Sequence, residues 1–216
     1  MNFYKLPLDR KVGVSEIALA NTRKNQIIME RIVAYKYDEN RLSQGDHIIV
    51  RIKQLTLRWN KAQSERMLAT NELYAARNEI KTVYGKTRRI ARILFQDQEP
   101  QRRVLAMDGP SKQLLPQWLE QARQFYTNAL VDPEIIRQFS GYGITTERLN
   151  EEKTLLTKLE KAMANQEKKA GQAMEITRER KSAVNELDHW MSKFFTILRL
   201  AMGKSQMLEA VGIVVK

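Results

Sequence analysis

Cysteine is absent from this chain, histidine occurs twice, and glycine and proline supply only 9 and 5 of the 216 residues. Without cysteine there is no disulfide framework, no thiolate zinc site and no cysteine nucleophile. Two histidines leave little for a catalytic triad or a histidine-rich metal site. So few glycines and prolines argue against an all-β chain, which needs many turns. No window holds the ~18 consecutive apolar residues of a membrane span. The longest near-apolar runs, 194–202 and 212–215, are broken by Arg199 or too short. The first ten residues carry Lys5, Asp9 and Arg10 and lack the apolar stretch of a secretory leader, so a cytoplasmic protein is expected.

What is present reads as a folded helical protein. Hydrophobic residues make up 43% and charged residues 29%, too apolar a mixture for a disordered chain. Lys and Arg number 37 against 25 Asp and Glu, a formal net charge of +12 that favours acidic partners or nucleic acid.

The chain superposes on itself when shifted by 107 residues, without a gap. Asn21 falls on Asn128, Ile28 on Ile135, Tyr35 on Tyr142, and Arg41-Leu42 on Arg148-Leu149. Further along, Glu72 meets Glu179, Asn78-Glu79 meets Asn185-Glu186, Lys86 meets Lys193, and Arg92 meets Arg199. A shared helical pattern alone would not align the caps as well. Asp38 and Thr145, both N-cap types, coincide, each preceded by an apolar residue (Tyr37, Ile144) and followed by Leu42 or Leu149 at the fourth helical position. The reading is of one repeat over 1–99, a linker over 100–116 bearing the Gly109-Pro110 turn signal, and a second repeat over 117–216.

Each repeat predicts one amphipathic helix, over 15–36 and 117–140, the second restarting at Asp132-Pro133. A very long helix follows, over 39–96 and 146–202, with no proline inside either and Gly203 as a stop. In the second the apolar seam keeps a strict 3-4 spacing from Leu149 and Glu152 through Leu156, Leu159 and Met163 to Leu187, Met191, Phe194 and Leu198. An unbroken register favours a continuous helix over a hairpin, about 85 Å long for ~57 residues. The fold class is therefore all-α, an elongated helical bundle built from an internal duplication. Ile213-Val214-Val215 reads as a short extended segment.

Chemistry-bearing motifs are few. Glu186-x-x-His189 has the spacing used in di-iron bundles, but the residue 107 before His189 is Thr82, so a complete site cannot be built. Asp46-His47 is a lone pair at a helix start. Gly141-Tyr142-Gly143 and 109–112 lack the phosphate-loop pattern. No enzyme activity, cofactor or metal is expected.

Two surfaces remain. Residues 1–108 carry net +9 and residues 109–216 net +3, and Lys81, Lys86, Arg88, Arg89 and Arg92 cluster late in the first long helix, with Arg102 and Arg103 soon after. Such a stripe can follow a phosphate backbone or simply be a solvated face. Ala62, Ala69 and Ala76, with Arg66 beside them, keep one face of the same helix small, so that it packs against Ala170 and Ala173 of its own chain or also against another subunit.

The segments Tyr142 to Leu149, Gln121 to Leu130 and Leu208 to Val215 together resemble an uncharacterised group of internally duplicated, all-helical bacterial proteins. That resemblance supports the duplication and implies no activity, cofactor or catalytic residue. The expected function is a non-enzymatic structural or scaffold protein that self-associates into homo-oligomers or filaments. The alternative is a basic helical protein associated with nucleic acid.

Overall fold

The computed structural model describes residues 3–203 and 206–211, so the extended segment expected at 213–215 lies outside the described residues. The protein is all-α. After a 3-10 turn at Phe3–Lys5 come α1 (Leu8–Lys24), α2 (Gln26–Val33), the long α3 (Glu39–Leu94), α4 (Glu99–Val104), α5 (Leu115–Val131), α6 (Pro133–Ser140), the long α7 (Thr146–Met202) and α8 (Met207–Ala210). Both long helices are uninterrupted. No strand occurs among the described residues.

Helix lengths recur at the 107-residue offset. Helices α1 and α5 each have 17 residues, and α2 and α6 each have 8. Their ends recur too. Asn25 Oδ1 caps α2 by accepting from Ile28 N, and Asp132 Oδ1 caps α6 by accepting from Glu134 N and Ile135 N. The first helix of each repeat is therefore two helices. That corrects the single helix expected over 15–36, which also starts earlier, at Leu8 behind Pro7. The expected linker is corrected as well, because 100–104 belong to α4, with Pro100 fitting its first turn.

Entry into each long helix is built twice in the same way. Tyr37 N donates to Ile32 O, and Ile144 N to Phe139 O, closing the preceding helix around a left-handed residue. That residue is Gly143 (φ 72°) in one repeat and Lys36 (φ 62°) in the other. Asp38 Oδ1 then accepts from Arg41 N, and Thr145 Oγ1 from Arg148 N. Tyr37 and Leu42 are buried, as are Ile144 and Leu149, completing the apolar clasp read from the sequence.

The chain forms two compact units, residues 1–64 with 171–216, and residues 65–170. These are not the sequence repeats. Each unit combines the early helices and the start of the long helix from one repeat with the end of the long helix from the other. The first unit's core joins Leu19, Ile28, Ile32, Leu42, Ile49 and Ile52 to Leu187, Met191, Phe194 and Leu198. The second unit's core joins Ile80, Tyr84, Ala91 and Phe95 to Phe125, Tyr126, Phe139, Ile144, Leu149 and Leu159.

Within each unit α3 and α7 run antiparallel, and the flanking ion pairs set the register. In the first unit Arg51 meets Glu186 at 3.2 Å and, seven residues on, Arg58 meets Glu179 at 3.4 Å. In the second unit Glu79 takes Lys158 at 2.8 Å and Glu72 takes Asn165 at 3.4 Å. These are the same glutamate positions, 107 residues apart. The pair Lys53–Glu16 recurs as Glu160–Arg123 with its charges exchanged.

One core position is filled differently in the two units. Gly45 lies so close to Trp190 that an added Cβ would sit 2.8 Å from its Cη2 and 3.1 Å from Leu19 Cδ1. Glu152, 107 residues later, is buried and accepts from Thr87 Oγ1 at 2.9 Å, Tyr126 Oη at 3.0 Å and Arg148 Nε at 3.0 Å. Burial, with the Glu152 carboxylate adding to it, pushes the Tyr126 hydroxyl far up, so Tyr126 stays a donor.

Gly45→Ala should lower thermal stability, because overpacking costs about 1–3 kcal/mol and outweighs the helix-propensity gain of about 1 kcal/mol. Gly171→Ala has open space around its Cβ and should raise it by about 0.5–1 kcal/mol. Thermal melts of the two variants should shift in opposite directions.

Candidate partner interface

The structure divides the basic stripe. Lys81, Lys86, Arg89 and Arg92 are exposed on α3. Arg88 is not: it is 6% exposed, packed beside Tyr84, with Nη2 donating to Gly109 O at 3.4 Å. Desolvation lowers its pKa, Tyr84 opposing. Burial likewise pushes the Tyr84 hydroxyl up to about 12, the Arg88 cation opposing. Arg92 Nη2 donates to the same Gly109 carbonyl at 2.5 Å. Arg102 donates to Gln96 O and lies 3.9 Å from Asp108, and Arg103 pairs with Glu99 at 2.7 Å. Arg88, Arg92 and Arg102 thus help hold the turn after α3 and the connection at 105–114. The expected basic stripe of Lys81, Lys86, Arg88, Arg89, Arg92, Arg102 and Arg103 is corrected at Arg88, which is buried and faces the core rather than solvent.

The small-residue face is also inside the chain. Ala62, Ala69 and Ala76 are buried, as is Ala173 on α7, while Arg66 is exposed. Ala62 and Ala69 are the only buried side chains of α3 between 56 and 75, so α3 is thinly packed there. Close flanking contacts cover this stretch. Trp59 Nε1 donates to Thr177 Oγ1 at 3.1 Å under the Arg180 guanidinium, 4.2 Å from the ring, and Lys169 pairs with Glu65 at 2.8 Å. The alanines are therefore unavailable to another subunit, which corrects their assignment to a self-association face.

The sequence reading missed a recurring set of exposed residues. Large apolar side chains stand exposed at equivalent positions in both repeats: Tyr35 (45%) and Tyr142 (58%), Met67 (64%) and Met174 (54%), Ile93 (67%) and Leu200 (62%). Several other exposed apolar residues have polar equivalents. Val50 corresponds to Thr157, Leu68 to Glu175 and Tyr74 to Lys181. The exposed Leu57 corresponds to the much smaller Ala164. The signal was present in the alignment of Tyr35 with Tyr142, but only accessibility separates a retained surface residue from a retained core residue such as Ile28.

The chain's two histidines, dismissed separately on spacing, line one cleft of about 460 Å³ in the first unit, with Arg41, Gln44, Ile48, Arg51, Glu186, Trp190 and Lys193. No three His, Cys, Asp or Glu side chains among the described residues are placed to hold a metal ion. No helix among them is long and apolar enough to cross a membrane. No family model matches this chain, and no curated protein or solved structure matches it.

Arg88→Glu should destabilise the fold by about 3 kcal/mol or more, since it buries a carboxylate beside the Gly109 carbonyl, an acceptor that cannot meet it. Arg89→Glu, on the exposed side, should change stability by no more than about 0.5 kcal/mol. Urea denaturation of the two variants measures the difference.

Proposed function

We propose that this protein is a non-enzymatic helical scaffold that self-associates through surfaces presented twice along one chain. The observation that carries this reading is the retention of exposed apolar side chains at 35/142, 67/174 and 93/200. Scattered exposed apolar residues need no explanation. Recurrence at one offset, on a surface that elsewhere exchanges apolar for polar residues and even reverses an ion pair, points to a selected contact. Each unit carries one tyrosine, one methionine and one aliphatic residue of this set. Equivalent exposed side chains in both units would give the chain two like points of contact, and such bivalence generates closed oligomers or filaments according to its symmetry.

Sedimentation of the wild type over a wide concentration range should give a mass above 25.2 kDa that rises with concentration. Met67→Lys with Met174→Lys keeps helix propensity close to that of methionine. The double variant should remain at the monomer mass with an unchanged melting curve. A wild type monomeric throughout rules the scaffold reading out.

A further inference from the structure

The histidine cleft gathers three cationic side chains on two facing helices around a single carboxylate. Three of its lining side chains, Arg41, Arg51 and Lys193, are cationic, against the single carboxylate of Glu186. That carboxylate is already engaged by Arg51 at 3.2 Å. Arg41 donates to Gln44 at 2.6 Å, a neutral partner, and lies 5.7 Å over the Tyr37 ring. Lys193, His47 and His189 are exposed. None of the three has a hydrogen-bond or ion-pair partner among the described residues. Asp46, next to His47, is drawn away to Arg23 at 2.5 Å.

The equivalent positions in the second unit show what a neutralised version looks like. Arg148, Lys158, Glu79 and Lys86 repeat the signs of Arg41, Arg51, Glu186 and Lys193. There, however, Arg148 is bound by buried Glu152 and Lys158 by Glu79. The position of Gln44 is occupied by Glu151, and those of the two histidines by Thr154 and Thr82. In the first unit Gly45 stands where the second has Glu152, so Arg41 has no internal carboxylate at that point. The arginine is thus without a carboxylate partner in the first unit alone, while Arg51 and Lys158 are paired alike and Lys193 and Lys86 are both exposed without a partner among the described residues.

We propose that this cleft binds a small diphosphate-bearing ligand, one per chain. Guanidinium forks, an ammonium and imidazole donors on two facing helices supply more donors than one phosphate group can use, and they suit two linked groups. The volume falls within the range of small-molecule sites. Trp190 and Ile48 give the wall an apolar portion against which a non-phosphate part of the ligand can rest. The site is independent of the self-association surfaces, since none of the six repeated apolar residues lines it.

Calorimetric titration of the full chain at low salt, with inorganic pyrophosphate and with a nucleoside diphosphate, tests the proposal. Pyrophosphate should bind at one site per chain and more tightly than inorganic phosphate. Tighter binding of the nucleoside diphosphate would assign the apolar wall to the base, and equal binding would confine recognition to the diphosphate. Lys193→Glu changes an exposed, unpartnered residue, so the fold should be retained. It should weaken pyrophosphate binding by about tenfold or more, the scale of one charge-assisted contact. Lys86→Glu, its equivalent in the second unit, should leave binding unchanged. No pyrophosphate binding by the wild type, or equal losses in the two variants, overturns the assignment.

Discussion

The antiparallel register of α3 against α7 is the constraint on which the rest depends. It decides which end of one long helix meets which end of the other, and therefore which aromatic and branched residues share a core. The flanking pairs do not supply much energy, since exposed ion pairs are worth about 0–1 kcal/mol each. Their role is selection. Glu72 and Glu79, and again Glu179 and Glu186, step by seven residues along one helix while their partners step by seven along the other. A slip of one turn would set these carboxylates beside the wrong neighbours and expose core side chains. Burial of Tyr84 and Phe95 on α3 and of Phe194 and Leu198 on α7 supplies the energy that holds the register these pairs match.

The cores of the two copies differ at many positions, and at one of them the difference reaches beyond the core. Where the first unit packs Gly45 under Trp190, the second buries a carboxylate with three donors. The first solution is apolar and sterically exacting. The second needs every donor present, because a buried acid with a missing partner is costly. The same exchange releases Arg41 from an internal partner, so a packing choice in the core sets the charge of the surface above it.

Much of the fold was legible in the sequence because helix caps and apolar periodicity are local signals. The bounds of α7 and the stop at Gly203, whose φ of 60° fits a left-handed terminator, follow from Thr145, the seam and the glycine itself. The break at Asn25 was obscured because no proline follows it, unlike Asp132-Pro133, although both residues cap in the same way. Arg88 was misread for a different reason. It lies four residues from Tyr84 and three from Ala91, on the buried side of the helix, but its charge was given more weight than its position. Glu152 did fall on the predicted seam. What no pattern could show was that Thr87 and Tyr126, remote in sequence, would satisfy it. The cleft was equally invisible, since His47 and His189 are joined only by the register.

The division into units that cross the repeats bears on how the chain is made. Residues 65–170 form one continuous stretch, whereas the other unit waits for residues 171–216 to meet residues 1–64. During synthesis from the N-terminus the middle of the chain can complete its core first, while the earliest helices remain without Leu187, Phe194 and Leu198. Ile28, Ile32, Ile49 and Ile52 are then exposed for the longest time. Of the two units, the one whose translation begins first cannot complete its core until the end of α7 has emerged, and for that interval its early helices keep apolar surface uncovered.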